Sequence, residues 1–459
     1  MKHLSDVRWT FARHGVQMFR SPCVFFLLVL LLLVLARTGV SSVLESDMAD
    51  GRGHFGTKSR YEDSERGSVL QYLGPPGCVP LQLVGLLRHG RRFPTVKRML
   101  RMQEFRQIMS TGGDGPLAQG LASRRLNFDP GRAGELSEHG ARDAVDLVTR
   151  FSRRFPELVG PETRIVSSSK SRCVHSAAAA ARSLQRGDST VQPHVHIDDD
   201  LMRFFDRCPR VQAEVERRRV EWNSFSRGEH VRNALRFAAN KSGIPEELLK
   251  TELLEAAYQL CALELSENGT KSPWCDLFNN EGFEVMEYLG DLKHYWLQGP
   301  SYPRSARSSC SLLQAIFSHF DSAIQESKRE QPRSASAVLY FGHAETLIPL
   351  LSLLGLFRSQ SDLMAANFTS RRRRLFRTSS FCPYSANLLL VLYGCGGSHP
   401  QHRLQLLLNE KPIPFPPCHD ATACPYATVS AHHATTLLEE TFHAVCENGD
   451  VENTSKLEL

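Results

Sequence analysis

The chain has 459 residues, 41% of them hydrophobic and 23% charged, with 55 Lys and Arg against 49 Asp and Glu. That balance excludes a disordered or collagen-like chain, and 12 cysteines in this length exclude a disulfide-stapled miniprotein. The formal charge of +6 falls to +2 once residues 1–42, with five basic residues and one acid, are set aside, so only local clusters can carry an electrostatic argument.

Arg20-Ser21-Pro22 precedes a run of 13 apolar residues, Val24 to Ala36, followed by Arg37 and small residues to Ser42. This pattern predicts a secretory signal peptide over 1–42, since a spanning helix wants about 20 apolar residues. The long basic stretch before the run keeps an uncleaved signal anchor as the alternative. Residues 43–77 are polar and Gly-rich, a lead-in segment. Pro80 to Leu87 is a short apolar run bounded by Pro80 and Gly90 and predicts a buried strand. Residues 110–140, rich in Gly and Ser, predict a loop. Residues 164–169 predict a second strand ending in small residues, followed by a helix from Arg172 to Leu184.

From 201 to 330 the texture becomes amphipathic helices, one beginning at Pro245, others over Phe283–Trp296 and Cys310–Gln325. Strand signals return at Ala337–Phe341, Asn387–Tyr393 and Leu404–Leu408, with a helix-like run from Thr346 to Phe357. The expected fold is α/β. A core sheet from 78–200 and 331–417 is flanked by helices and split by an inserted all-helical domain at 201–330. Residues 418–459 are left as a C-terminal tail.

Secretion has independent support. Asn240, Asn268, Asn367 and Asn453 each open an Asn-x-Ser/Thr glycosylation tripeptide. Without Cys23, which lies in the leader, 11 cysteines remain, so at least one is unpaired. Cys418 and Cys424 are the easiest local pair. The chain ends Lys456-Leu-Glu-Leu459, one residue from an endoplasmic-reticulum retention signal, so retention in that lumen and plain secretion both stay open.

Chemistry concentrates at three strand ends. Arg88-His89-Gly90-Arg91-Arg92 begins a stretch, 88–101, with six cations and no acid: Arg88, Arg91, Arg92, Lys97, Arg98 and Arg101. Such crowding repels itself unless an anion neutralises it, and the arginine fork suits phosphate. A histidine inside the cluster is held neutral, and neutral imidazole is a nucleophile. Gly342-His343-Ala344-Glu345 closes a strand and opens a helix, where backbone N–H groups favour anions. Ser167-Ser-Ser-Lys170-Ser-Arg172 offers hydroxyls and two cations.

The pattern Arg-His-Gly-x-Arg-x-Pro, a distant Arg in a Ser-rich turn and a late His-Ala-Glu resembles the histidine acid phosphatases, and within them the multiple inositol polyphosphate phosphatases. Supporting stretches are Phe55–Asp63, Leu201–Asp206, Lys271–Asp276, Phe341–Thr346 and Leu406–Lys411. The resemblance spans about 55 to 411. It implies His89 as the nucleophile forming a phosphohistidine, with Arg88, Arg92, Arg172 and His343 holding the transferred phosphate and Thr95 as a further contact. Glu345 would protonate the departing oxygen. It implies a small-molecule substrate, an inositol polyphosphate such as phytate, and leaves 2,3-bisphosphoglycerate open. No metal, cofactor, nucleic acid or lasting membrane span is implied, and the oligomeric state stays open.

Lys170 is a candidate contact for a peripheral phosphate, or else a surface lysine. Arg91 either adds positive charge for highly phosphorylated substrates or points at solvent. His175 stands near Arg172 where the family leads one to expect an acid. The run Arg371–Arg374 with Arg377 is expected to be a solvated basic loop, with a phytate patch or processing site as alternatives. A non-catalytic secreted glycoprotein that binds polyanions is the rival function. A zinc deaminase, suggested by His343-Ala-Glu345 and Pro417-Cys418, is disfavoured because the next cysteine, Cys424, is too distant.

Overall fold

The computed structural model describes residues 51–64, 74–126, 129–185, 194–329, 335–396, 401–418 and 423–447. The leader 1–42, Asn453 and the last four residues lie outside them. Eight strands form one sheet: β1 Cys78–Arg88, β2 Arg164–Ser167, β3 His196–Ile197, β4 Ala337–Gly342, β5 Asn387–Cys395, β6 Gln401–Leu408, β7 Lys411–Ile413 and β8 Ala423–Pro425. Their order is β3-β2-β4-β1-β5-β6-β7, with β8 on β6. The first four in that order run parallel, and β5 to β8 pair antiparallel.

The longer helices are α1 Val96–Gly112, α2 Pro116–Ser123, α3 Glu138–Arg154, α4 Ser171–Leu184, α5 Glu229–Ser242, α6 Thr251–Asn268, α7 Asn280–Leu297, α8 Cys310–Lys328 and α9 Ala344–Leu353. The apolar run of β1 reads as continuous because both faces are covered. Val84 and Leu86 belong to one buried cluster with residues of α1 and α5–α9, whereas Leu83 and Leu87 belong to a second with Leu147, Phe151 and Ala177 of α3 and α4. Among the described residues, no helix is long and apolar enough to cross a membrane.

Several expectations need correction. The segment 110–140 is not a loop. It holds the end of α1, all of α2 and the start of α3, because Pro116 sits in the first turn of α2 and Ala118 and Leu121 are buried. The helix expected from Pro245 makes only a 3₁₀ turn, Glu246–Leu248. Leu249 is extended, and α6 starts at Thr251. The run expected as a helix from Thr346 to Phe357 starts earlier and stops at Leu353. Residues 423–447 are no tail: they form β8 and short helices, and Cys446 is bonded to Cys208. Three further disulfides join Cys78–Cys395, Cys261–Cys275 and the expected Cys418–Cys424. Cys173, Cys310 and Cys382 are free and buried.

The lead-in also does more than precede the fold. Residues 51–64 form a strap of two 3₁₀ turns, with Phe55 and Tyr61 buried. Tyr61 donates to Glu410 at 2.8 Å. Glu410 and Asn409 form the tight β6–β7 turn with φ of 68° and 49°, the left-handed geometry such hairpins need. Arg150 of α3 grips the same carboxylate from Nε and Nη2.

Candidate active site

The parallel strands end level with one another: Arg88 lies opposite Gly342, and Ser167 opposite Phe341. β5 starts at the same rim, with Asn387 opposite Leu87. Residues just beyond β1, β2 and β4 therefore meet at one rim, where open α/β sheets bind ligands.

His89 is 3% exposed, and its N–H donates to Gly342 O at 3.1 Å. Nδ1 lies 2.8 Å from Gly90 O. A carbonyl only accepts, so Nδ1 carries the hydrogen and Nε2 of the neutral ring keeps its lone pair. Burial, then Arg88, Arg92, Arg172 and His343, hold this imidazole well below its usual value. His343 is fixed in the opposite tautomer. Arg172 Nη2 donates to its Nδ1 at 3.2 Å, and its Nε2 donates to Ser168 Oγ at 2.9 Å. Burial and Arg172 push it down to about 3. The two rings meet edge to face, 5.8 Å between centroids.

Arg88 Nη1 donates to Thr57 O at 2.6 Å and Cys382 O at 2.9 Å, and its guanidinium lies over Tyr384. Arg92 Nη1 donates to Phe93 O at 2.7 Å. The Nε atoms of Arg88, Arg92 and Arg172 are buried without a partner, as are those of Arg106 and Arg219 outside the site, so it is the convergence of three guanidinium groups on His89 that suits them to an anion. Glu345 opens α9. Its carboxyl is held at about 2: burial raises it, and His343, His294, a backbone N–H and Arg88 outweigh that. Thr95 and Lys170 are exposed N-cap residues of α1 and α4, outside this buried set, and His175 is exposed.

A cleft beside Arg92 is lined by Lys58, Arg98, Gln259 and Tyr384. Burial, then Arg92, Arg88 and Arg98, push the Lys58 amine well down. Lys58 and Tyr384 were not legible as site residues. Lys58 lies in the Phe55–Asp63 stretch, but nothing local shows that the stretch crosses to this rim.

Two basic features resolve differently from expectation. Arg91 neither faces solvent nor joins the clamp. It is 8% exposed, donates to both Asp143 oxygens at 2.8 and 2.5 Å, and donates to Ser266 O. A buried guanidinium needs such an acid. The run 371–377 is not simply a solvated loop, because Arg374 and Arg377 pair with buried acids of α7. Cys418, being disulfide-bonded, is unavailable to a metal, which removes the deaminase pattern.

The chain belongs to branch 2 of the histidine phosphatase superfamily, whose profile matches residues 81–409. Within that branch it is similar to multiple inositol polyphosphate phosphatase 1 from Homo sapiens, 37% identical over 401 residues covering 79% of this chain and 82% of that one. The phytase from D. castellii superposes with a TM-score of 0.72 at 18% identity, covering 88% of each chain. The Bifidobacterium longum multiple inositol polyphosphate phosphatase, in complex with inositol hexasulfate, does so at 0.64 and 15% identity, covering 84% of this chain and 98% of that one.

Proposed function

We propose that this chain removes phosphates from inositol polyphosphates through a phosphohistidine at His89. The observation that carries the reading is a neutral imidazole, its Nε2 free, enclosed by Arg88, Arg92 and Arg172, whose buried Nε atoms lack partners. His89 Nε2 attacks phosphorus as the ester P–O bond breaks, and the three guanidinium groups hold the equatorial oxygens, with His343 bracing Arg172 through its Nδ1 rather than touching the phosphate itself. Glu345 gives a proton to the leaving oxygen. A polyanion bound beside its carboxyl counters the nearby cations and raises it, which lets it hold that proton. Water then attacks phosphorus as the P–N bond breaks, giving its proton to Glu345, returning the electron pair to His89 Nε2 and releasing phosphate. Lys58 and Arg98, next to Arg92 in the cleft, suit the remaining phosphates of a ring substrate. That phytate-like polyanions fit such a fold is supported by the relatives' names and by the inositol hexasulfate bound to the Bifidobacterium longum protein.

The reading places the enzyme in the secretory lumen or outside the cell after loss of residues 1–42, and four disulfides support an oxidising compartment. Asn240 and Asn268 are exposed acceptors. Asn367 has its Nδ2 engaged with Asp362 O at 2.9 Å, so the folded chain uses that atom itself.

The test is an acid-labile, alkali-stable phosphoryl adduct trapped on His89 during phytate turnover. His89→Ala should release no phosphate. Glu345→Gln should slow phytate far more than an activated aryl phosphate. Brisk hydrolysis by His89→Ala would end the covalent reading.

A further inference from the structure

We propose that Glu287 and Asp291, buried acids one turn apart on α7, are positioning residues that set Arg88 in the phosphate clamp. This rests on the role given to Arg88 above.

Among the described residues no acid lies within ion-pair distance of Arg88. Its Nη1 is held by two backbone carbonyls, Thr57 O and Cys382 O, which are only as well placed as the segments that carry them. Thr57 belongs to the strap. There Arg377 Nη2 donates to Gly53 O at 2.7 Å, His54 Nδ1 lies 3.1 Å from Glu287 Oε2, and Tyr258 OH donates to His54 O. Arg377 Nε in turn donates to both oxygens of Glu287, at 3.1 and 3.0 Å.

Cys382 follows the single helical turn Thr378–Phe381, and its N–H donates to Thr378 O at 2.9 Å. Thr378 donates to Asp291 Oδ1 from its N–H at 3.0 Å and its hydroxyl at 2.5 Å. Ser379 Oγ donates to Glu287 Oε1. Arg374 spans the two acids, 2.5 Å from Asp291 and 3.4 Å from Glu287. Both carbonyls on Arg88 thus trace, through a few bonds, to one acid pair.

Glu287 is 1% and Asp291 0% exposed. Burying two carboxylates is unfavourable by several kcal/mol each before pairing, and apolar residues often serve stability as well. Here the charges do something apolar residues cannot: they fix hydroxyls, N–H groups and a guanidinium on two segments that share a single target.

Glu287→Gln and Asp291→Asn keep shape and remove charge. Inorganic phosphate binding is measured by calorimetry, with Tm recorded alongside. Each variant should weaken phosphate Kd about tenfold, the scale of one weakened hydrogen bond to a charged group. In an Arg88→Lys background the same substitutions should leave Kd unchanged, because the guanidinium they position is gone. Tyr426→Phe, which loses the bond to Asp321, should lower Tm without moving Kd. If the acid variants do not fold, Thr378→Val and Ser379→Ala cut one link each and should shift Kd in the same direction. Wild-type phosphate affinity in these variants, or an equal loss in the Arg88→Lys background, overturns the proposal. Phosphate binding is read without turnover. A wild-type protein that binds phosphate but leaves inositol polyphosphates intact would therefore sink the functional reading alone.

Discussion

Gly140 offers a test in which two effects have opposite signs. It is the third residue of α3, where its N–H donates to Ser137 Oγ at 3.1 Å. Helix propensity alone favours Gly140→Ala by up to about 1 kcal/mol. The position, however, lies against the Arg-His-Gly turn, backbone to backbone. A Cβ on Gly140 would sit 2.1 Å from Arg91 O and 2.6 Å from Arg91 N, and one on Gly90 would sit 2.2 Å from Gly140 O. Real Cβ contacts essentially never fall below 3.0 Å, so the helix or the turn must retreat by about 1 Å. Overpacking of this kind costs about 1–3 kcal/mol. With the full propensity gain set against it, a net loss of about 0–2 kcal/mol remains. Because Arg91 O belongs to the turn that carries His89, kcat/KM on phytate should fall by about 10- to 100-fold. Urea unfolding with an unchanged m-value gives the stability. A Gly140→Ala enzyme that is as stable as wild type and equally active would refute the close approach.

Two further outcomes follow from the site. The acid limb of kcat/KM reports His89, since activity is lost as pH falls and Nε2 takes a proton; burial and the arginines place that limb well below 6.5. A limb at or above 6.5 on a substrate that does not titrate there would mean the imidazole is not caged by cations. Arg91→Gln leaves the partly buried Asp143 without its partner and should cost about 3 kcal/mol of stability with little change in KM for phytate. A raised KM at full stability would return Arg91 to substrate binding.

What could be read in the sequence was whatever has a local pattern. Pro80–Leu87 and Asn387–Tyr393 show as apolar runs because both sheet faces are covered, and the strand-end motifs show because each packs several reactive residues into one short turn. Arg88, His89, Arg92, Arg172, His343 and Glu345 meet at one rim because level strand ends bring those turns together. What stayed hidden depends on distant partners. Six cations in 88–101 looked uniformly hungry for an anion, yet Asp143 satisfies Arg91 and Glu104 satisfies Arg101. The strap looked like polar lead-in because Phe55 and Tyr61 are its only large apolar side chains, and the partners of these and of its polar ties, Phe283, Glu410, Glu287 and Arg377, lie far along the chain. The basic run at 371 looked solvated for the same reason.

The strand order carries a consequence for biosynthesis. β1 is the central strand in the order β3-β2-β4-β1-β5-β6-β7, yet both its neighbours, β4 and β5, are made some 250 to 300 residues after it. At about 5–20 residues per second, the ribosome leaves that strand unpaired for many seconds. A chain cut short before β4 has neither neighbour for this strand and neither His343 nor Glu345 for the site; what it exposes is an unpaired apolar edge, the kind that invites wrong partners.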